Sequence, residues 1–541
     1  MKEPIPTSIN APANSLSSPE PLRFLVIGAG SRGNAYARAV TTATAGKIHS
    51  IAEPHISKRR AFGKNYIWAE SASEGQEFSD WRDWIKWEVE RRERAQHDPH
   101  TAVGVHGVFI CTLDETHVEI VRALAPLRLH ILCEKPLALS LDDCLSVYRT
   151  LQPPDELGMP APPTNIFSIG HVLRYSPHNI QLRKLLADRA IGDIVSLEHC
   201  EPVGWWHFSH SYVRGNWRRA TAAGDGSLLT KSCHDIDFIL WLLCSPLSPD
   251  ETDSSQAQAC KPHFPRSISS VGTMTQFRRA RKPAGAGDAT NCVSCPVERN
   301  CSYSAVRIYN DRHLVTGHIA WPVDIVCPDI EDVFRSRGSE AAESLLLSRL
   351  GEDYDKKTVA DESIASRPWY GRCVYEADND VCDDQVVTIA WDDEGVAPHR
   401  LAKTASFHMI APTEKQCERR GRVYGTTGEI AYDSHTISVY DFATAKTEII
   451  NVPKPPPDQK ESHGGGDYGL ARQFVSAVEA VEDGLDVETA QTRFVGCSLE
   501  EAVRSHAVVF AAEEARRDER VIKWESWWDE KLKASAAAFK T

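Results

Sequence analysis

The chain has 541 residues, of which 25% are charged and 42% hydrophobic, so it is long enough for two or three globular domains. Acidic residues outnumber basic ones by 75 to 61, and this surplus argues against a nucleic-acid-binding surface. No apolar run reaches membrane-spanning length, so we expect no membrane partner. Residues 1–21 lack the apolar core of a secretion signal, which predicts a disordered leader and a cytoplasmic protein. We expect the fifteen cysteines to be reduced thiols.

A β-prone segment, Leu22–Ile27, runs directly into a Gly-x-Gly-x-x-Gly turn and then into a helix-forming segment. In a strand–turn–helix that binds a dinucleotide, Gly28 permits the tight turn, Gly30 lets the pyrophosphate approach, and Gly33 lets helix and strand pack closely. The free amides at the start of the helix then face the phosphates. The predicted cofactor-binding residues of this turn are Gly28, Gly30, Ser31, Arg32 and Gly33.

Residues 47–53 predict a second strand that ends in a carboxylate, Glu53, at the distance from Gly33 where a dinucleotide fold places an acid on the adenosine ribose. Because a carboxylate there repels a 2′-phosphate, we expect NAD rather than NADP. Three basic residues at 58–60 moderate this preference. The alternative is a solvated glutamate at the end of a strand.

Two more buried strands, residues 105–112 and 129–133, continue an alternation of strands and helices that predicts a parallel sheet. The carboxyl ends of such strands lie beside the cofactor, which places Thr112 and Glu134 there. Lys135 follows at the same edge, next to a proline, where its ammonium group could reach a substrate hydroxyl and help to move its proton. A surface lysine is the alternative reading of this residue.

The glycine turn, Glu53-Pro54, Glu134-Lys135-Pro136 and a later His-Asp pair at 234–235 together resemble the glucose–fructose oxidoreductase / inositol dehydrogenase / rhizopine catabolism (Gfo/Idh/MocA) family. The resemblance covers nearly the whole chain beyond residue 21. It implies an α/β protein with an N-terminal Rossmann domain, a doubly wound parallel sheet, and a C-terminal α+β domain with a large, mostly antiparallel sheet. It also implies that the Lys135–Pro136 bond is cis.

The domain boundaries follow from this resemblance and from a proline-rich loop at 153–163. We expect the Rossmann domain at 22–163 and the second domain at 164–525, with insertions at about 245–365 and a tail at 526–541. The second sheet's open face would carry the substrate site and an interface between copies of the chain, and hence a homo-oligomer.

The family's catalytic pattern, Asp-x-x-x-His at the start of a helix, is matched only in part. His234 stands at the position of the histidine that acts as acid and base near the hydride-transfer centre. Thr230 replaces the aspartate four residues earlier, and its neighbour Lys231 would supply a charge instead. Asp235 and Asp237 would orient the histidine or cap the helix.

Polar residues beyond the predicted boundary are candidates for substrate contact. Arg174 and Tyr175 match the family's strand that reaches the substrate cleft, although ordinary polar residues of a strand would have the same pattern. Residues 205–217 are dense in groups that can stack on sugars and hydrogen-bond to them. Further along, a glycine run allows close backbone approach and would bring His463 to the substrate pocket.

Cys292, Cys295 and Cys301 have the spacing of thiolates that hold a structural zinc ion once a fourth ligand is supplied. The sequence leaves the fourth ligand and the metal itself open, because a cluster of reduced thiols would have the same spacing. The candidates for the fourth ligand are Cys260, His263, His313 and Cys327.

These residues predict an NAD(P)-dependent dehydrogenase or reductase acting on a CH–OH group of a sugar, cyclitol or related small molecule. Lys135 and His234 would polarise the reacting oxygen and move its proton, with assistance from Lys231. One alternative is an NAD-dependent glycosidase or lyase without net redox change. The other is a catalytically inactive regulator that binds NAD or a sugar.

Overall fold

A computed structural model of the protein describes residues 20–153, 161–221, 226–246, 262–394, 400–452, 454, 456 and 463–538. The predicted leader up to residue 19 and the candidate ligand Cys260 lie outside the described residues. Among the residues described, no helix is both long enough and apolar enough to cross a membrane.

The first sheet has six parallel strands in the order β3-β2-β1-β4-β5-β6. Its strands are β1 (Arg23–Ile27), β2 (Lys47–Ala52), β3 (Glu77–Phe78), β4 (Gly107–Ile110), β5 (His130–Cys133) and β6 (Phe167–Ile169). The helices that follow the first five are α1 (Ser31–Ala43), α2 (Ile56–Tyr66), α3 (Trp81–Ala95), α4 (His117–Leu124) and α5 (Leu141–Leu151). The strand order reverses between β1 and β4, so a ligand crevice is expected at the carboxyl ends of these two strands.

The second sheet has nine strands in the order β14-β13-β12-β11-β7-β10-β9-β8-β15. Only the described pair β7 and β10 is parallel, and the other neighbours are antiparallel. The strands are β7 (Ile194–Pro202), β8 (Ser267–Thr273), β9 (Asp384–Trp391), β10 (Lys403–Ile410), β11 (Arg420–Gly425), β12 (Gly428–Tyr432), β13 (Ile437–Asp441), β14 (Lys446–Ile450) and β15 (Ile522–Lys523). The two sheets confirm the predicted fold class.

One face of the second sheet is covered by helices, which is why buried residues alternate with partly buried or exposed ones along β9 and β10. The covering helices are α8 (Gly226–Leu243) and α15 (Leu499–Arg517). The remaining helices are α6 (Pro177–Ala187), α7 (Trp205–Phe208), α9 (Val323–Val326), α10 (Ile330–Arg337), α11 (Ser339–Leu350), α12 (Asp361–Ala365), α13 (Gly466–Glu482), α14 (Val487–Ala490) and α16 (Trp524–Ala538). Every residue of α8 is buried, so the helix that carries the predicted catalytic residues is central to the core.

An inserted lobe lies between β8 and β9, at residues 274–383, and has a small hydrophobic core of its own that includes Ile308, Leu346 and Leu350. The predicted insertion at about 245–365 is therefore shifted. Strand β8 falls inside the predicted range, because its polar sequence, Ser-Ile-Ser-Ser-Val-Gly-Thr, lacks the apolar run of a central strand.

Two other predicted boundaries are corrected by the structure. Strand β6 pairs with β5, so the first sheet extends to Ile169, beyond the expected end at residue 163. Residues 526–538, expected as a tail, belong instead to helix α16, which packs through the buried Trp527. Its Ser535 hydroxyl accepts a hydrogen bond from Arg149 of the first domain, at 2.6 Å. Long-range contacts of this kind leave no local pattern in a sequence.

Candidate active site

The turn between β1 and α1 has the geometry of a dinucleotide site. Gly28 has φ +96°, and a Cβ there would lie 2.5 Å from the carbonyl oxygen of Cys111. A Cβ at Gly33 would lie 2.0 Å from the carbonyl oxygen of Gly28, whereas a Cβ at Gly30 would meet no protein atom within 4 Å. Packing thus requires two of the glycines, and the third borders open space where a pyrophosphate can approach the backbone.

Helix α1 begins at Ser31. Its N-cap residue, Gly30, has no side chain that could bond to the first amides of the helix. The amides of the first turn therefore remain available to an anion, and the helix dipole favours one. Ser31 is exposed at this end. Thr112 follows β4, and its hydroxyl oxygen accepts a 2.6 Å hydrogen bond from Thr116. These residues fit a dinucleotide phosphate group, and their individual contacts with it stay predictions.

Glu53 follows β2, and its carboxylate is held by two backbone amides. Oε2 accepts from the Ala29 N–H and Oε1 from the His55 N–H, each at 2.8 Å. The carboxylate is thus fixed beside the glycine turn. Each oxygen keeps a second lone pair for a hydroxyl group. The predicted ribose contact is not tested by this geometry and stays a prediction.

The Arg32 side chain lies within an ion-pair network rather than free at the phosphate site. Its Nε is 2.7 Å from Glu134 Oε1, and its Nη2 is 2.8 Å from Asp467 Oδ1, at the start of α13. The Tyr36 hydroxyl also donates to Glu134, at 2.6 Å. Burial would raise the pKa of Glu134, but Arg32 and Tyr36 hold it below its usual value. Arg32 therefore joins two distant segments, and its predicted contact with the cofactor stays a prediction.

His463, predicted at the substrate pocket, extends the same network. Its Nδ1 lies 3.1 Å from Asp467 Oδ1. The imidazole is 39% exposed. It is therefore close to Arg32 and the start of α1, and its predicted contact with substrate stays a prediction.

Lys135 links the two domains at the edge of the first sheet. The Lys135–Pro136 bond is cis, as the family resemblance implies. The Nζ atom donates a 2.7 Å hydrogen bond to the carbonyl oxygen of Thr230 in α8. The structure thus brings the predicted lysine to the helix that carries Lys231 and His234.

His234 is buried in the middle of α8, not at its start, so Asp235 and Asp237 do not cap this helix. Its Nε2 lies 2.5 Å from Nη2 of Arg419 and 3.2 Å from Oδ2 of Asp235. Because a guanidinium group can only donate, the contact with Arg419 fits a neutral imidazole whose Nε2 accepts and whose proton is on Nδ1. Burial lowers the pKa of His234 well below its usual value, which agrees with a neutral ring.

Lys231 is held as a cation on the same helix. Its Nζ lies 3.0 Å from Glu201 Oε1 and 3.0 Å from Cys417 Sγ. Burial alone would lower the pKa of Lys231, but Cys417 and Glu201 raise it above the usual value. Lys231 therefore supplies a fixed positive charge and is poorly suited to give up a proton at neutral pH.

Several residues of this site were not singled out from the sequence. Arg419 pairs with Asp235, at 2.7 Å, and with Glu201, at 3.0 Å. His207, within the aromatic segment 205–217, lies 3.6 Å from Cys417, and burial together with Lys231 lowers its pKa well below the usual value. Arg419 is 185 residues from His234 in the chain, so no spacing pattern could have identified the pair.

Arg174 and Tyr175, predicted to contact substrate, have internal partners instead. Arg174 makes two 2.8 Å hydrogen bonds to the carboxylate of Asp237, and both side chains are buried. The Tyr175 hydroxyl donates to the carbonyl oxygen of Val495, at 2.8 Å. The polar groups of the two residues bond within the protein, and their predicted contact with substrate stays a prediction.

The structure does not support the predicted single zinc ion at Cys292, Cys295 and Cys301. Among the described residues, the groups of three potential ligands within 4.8 Å of one another do not include these thiols. Two candidate fourth ligands also have other partners: His263 Nε2 contacts the carbonyl oxygen of Asp392, and His313 Nδ1 that of Ile308.

Comparison with known proteins agrees with this geometry. Residues 22–156 match the family model described as "Oxidoreductase family, NAD-binding Rossmann fold", and residues 179–261 match the GFO/IDH/MocA C-terminal domain. Inositol 2-dehydrogenase 2 of Saccharopolyspora erythraea is 28% identical over 222 residues, which are 40% of this chain and 52% of that protein. The 2,7-anhydro-N-acetylneuraminate hydratase of Escherichia coli is 29% identical over 136 residues, 25% of this chain and 33% of the hydratase.

The chain thus spans between a third and about half of the length of these curated relatives. Among solved structures, an inositol dehydrogenase homologue from Azotobacter vinelandii, complexed with NAD+, superposes with a TM-score of 0.56 at 12% identity. That match covers 93% of this chain and 98% of the homologue, and it shows a shared fold. Residues 22–156 and 179–261 thus carry, in order, the two domains of the Gfo/Idh/MocA oxidoreductase family.

Proposed function

We propose that the protein is an NAD-dependent oxidoreductase that acts on a CH–OH group of a sugar, cyclitol or related small molecule. The observation that carries the proposal is the contact of Lys135 with Thr230, which joins the carboxyl edge of the dinucleotide sheet to α8. An ammonium group, a neutral imidazole and a fixed cation are thereby gathered beside the expected nicotinamide position.

When bound, NAD supplies the hydride acceptor or donor of such a reaction. The carbonyl oxygen of Thr230 holds Nζ of Lys135 in place and leaves its remaining bonding positions for the substrate oxygen. We assign to Lys135 the transfer of the hydroxyl proton. The Nε2 atom of His234 already accepts from Arg419, so we assign the imidazole a hydrogen-bond-donating role through Nδ1, which is buried and has no partner in the described protein.

The preference for NAD over NADP is part of the proposal. Glu53 is fixed at the end of β2, where its carboxylate would bond to the ribose hydroxyls and repel a 2′-phosphate. One of the three basic residues, Arg59, donates to Glu77 and to the backbone oxygen of Glu53, so its guanidinium is engaged. This engagement removes one group that would favour NADP.

A second candidate is a reaction without net oxidation, in which the substrate is dehydrated or hydrated. The similarity to the Escherichia coli hydratase supports it, although that similarity covers only a quarter of this chain. Thr230 stands where the family pattern has an aspartate, which is a further reason to keep a reaction without net oxidation as the second candidate.

The test is a panel of sugars, cyclitols and sugar acids with NAD or NADP, following both nicotinamide absorbance and product mass. Net formation of reduced NAD with one compound class, abolished in Lys135→Met, is the expected result. A new product without net reduced NAD would favour the second candidate. Binding of NAD without turnover of any compound would overturn both and favour a regulator.

A further inference from the structure

Four cysteines in the inserted lobe surround one small cavity of about 20 Å³. Three of them are the closely spaced Cys292, Cys295 and Cys301, and the fourth is Cys373, which follows the long segment 302–372. We propose that these four thiolates hold an iron–sulfur cluster. Cys373 completes the ligand set, rather than any of the residues that the sequence suggested.

The separation of the sulfur atoms is what favours a cluster over a single ion. Tetrahedral zinc, with Zn–S bonds of about 2.3 Å, requires its four sulfurs to lie about 3.8 Å apart. No three of these four sulfurs lie within 4.8 Å of one another, yet all four border the same cavity. Four cysteines around a shared space, farther apart than one ion allows, match the ligand set of an iron–sulfur cluster.

The charge around the cavity also favours an anionic cluster. Arg214 borders it and is 1% exposed, with Nη2 at 3.4 Å from the Sγ of Cys292. Its Nε and Nη2 donate to the carbonyl oxygens of Arg372 and Tyr303, but Nη1 is buried and has no hydrogen-bond partner among the residues that the structure describes. A buried cation with an unused donor is costly unless an anionic group lies beside it. A thiolate-bound cluster supplies that negative charge.

The position of the site indicates a structural role. Binding both Cys301 and Cys373 closes a loop that contains α9, α10, α11 and α12. Closing a long loop lowers the entropy of the unfolded chain and so stabilises the lobe. The lobe contacts the aromatic segment 205–217 through the hydrogen bond between His210 and the Tyr309 hydroxyl, at 2.9 Å.

The experiment measures iron, acid-labile sulfide and zinc in the full chain, purified without oxygen after expression in iron-supplemented medium, together with its visible absorption. We expect iron and sulfide in equal amounts, about two to four of each per chain, with a broad absorption band that dithionite bleaches. Cys373→Ser should lose most of the iron and sulfide. Cys327→Ser, which removes a buried thiol of the same lobe that does not line the cavity, should keep both.

Three results would overturn the proposal. One is a chain with one zinc and no sulfide, which would mean that the thiolates close around a single ion. Another is a chain free of metal, even after anaerobic reconstitution with iron and sulfide, whose four thiols all react with an alkylating reagent. The third is equal loss of iron in the Cys373 and Cys327 variants while circular dichroism shows both folded.

Discussion

Lys135 Nζ donates to the carbonyl oxygen of Thr230 at 2.7 Å, and so a lysine of the dinucleotide domain meets the residue that replaces the family's aspartate. An aspartate side chain at 230 would offer Lys135 a charged partner on the same turn of α8. Threonine leaves only a neutral backbone acceptor, and its hydroxyl donates to the Gly226 carbonyl oxygen instead. The ammonium group is therefore positioned without being neutralised by an ion pair at this residue.

Replacement of Lys135 by Met tests the proton-transfer role directly. Loss of a general acid–base group lowers kcat by about 10²- to 10⁴-fold, whereas the affinity for NAD should change little because the glycine turn is untouched. The measurement is steady-state kinetics together with fluorescence titration of NAD. Lys86→Met, which removes an exposed lysine of α3, is the matched control and should leave both unchanged. A Lys135 variant with nearly full kcat would rule out the assigned role.

Thr230→Asp should change how the reaction depends on pH. A carboxylate one helical turn before His234 favours the protonated imidazole and so raises its pKa. The acidic limb of the kcat/KM profile should therefore move to higher pH, by about one unit. Thr230→Asn has nearly the same shape without the charge and should show no such shift. Identical profiles for the two variants would show that His234 does not control the limb.

The glycines of the first turn should respond differently to an added methyl group. Gly30 has φ −74° and open space around its Cβ position, so Gly30→Ala should fold normally and weaken NAD binding about tenfold or more. Gly33→Ala forces a carbon against the Gly28 carbonyl oxygen and should destabilise the fold by about 1–3 kcal/mol. Thermal unfolding and NAD titration separate the two effects. Equal NAD affinity in Gly30→Ala and the parent would contradict a phosphate at this position.

Acid should destabilise the protein through its buried neutral histidines. Burial lowers the pKa of His210 and of His506 to about 3, and that of His234 well below its usual value. Below pH 6.5 the unfolded chain binds protons that the folded chain does not, so stability falls with pH, by about 2 kcal/mol per histidine at pH 5. The midpoint of thermal unfolding should therefore drop between pH 6.5 and pH 5. His506→Gln should show a shallower drop, and an unchanged slope would contradict this account.

Local patterns in the sequence predicted the dinucleotide half of the molecule well. The glycine turn, the strand before it and the strands at 107–110 and 130–133 are read from short-range spacing, because turns and buried strands are set by neighbouring residues. The sequence did not predict strand β8, because that strand has few apolar residues. It placed β6 in the second domain, although β6 pairs with β5 of the first sheet.

The chemical partners of the site residues came only from the tertiary structure. Several of these pairs join segments that are far apart in the chain, and helix or strand periodicity carries no information about them. They are Arg419 with His234, Asp237 with Arg174, and Cys373 with Cys292. By itself the sequence determined the dinucleotide-binding turn and the identity of the catalytic candidates, since these depend on residue type and near spacing. Tertiary packing decided which charges are fixed, which donors remain open and which cysteines face one cavity, because those depend on where distant segments meet.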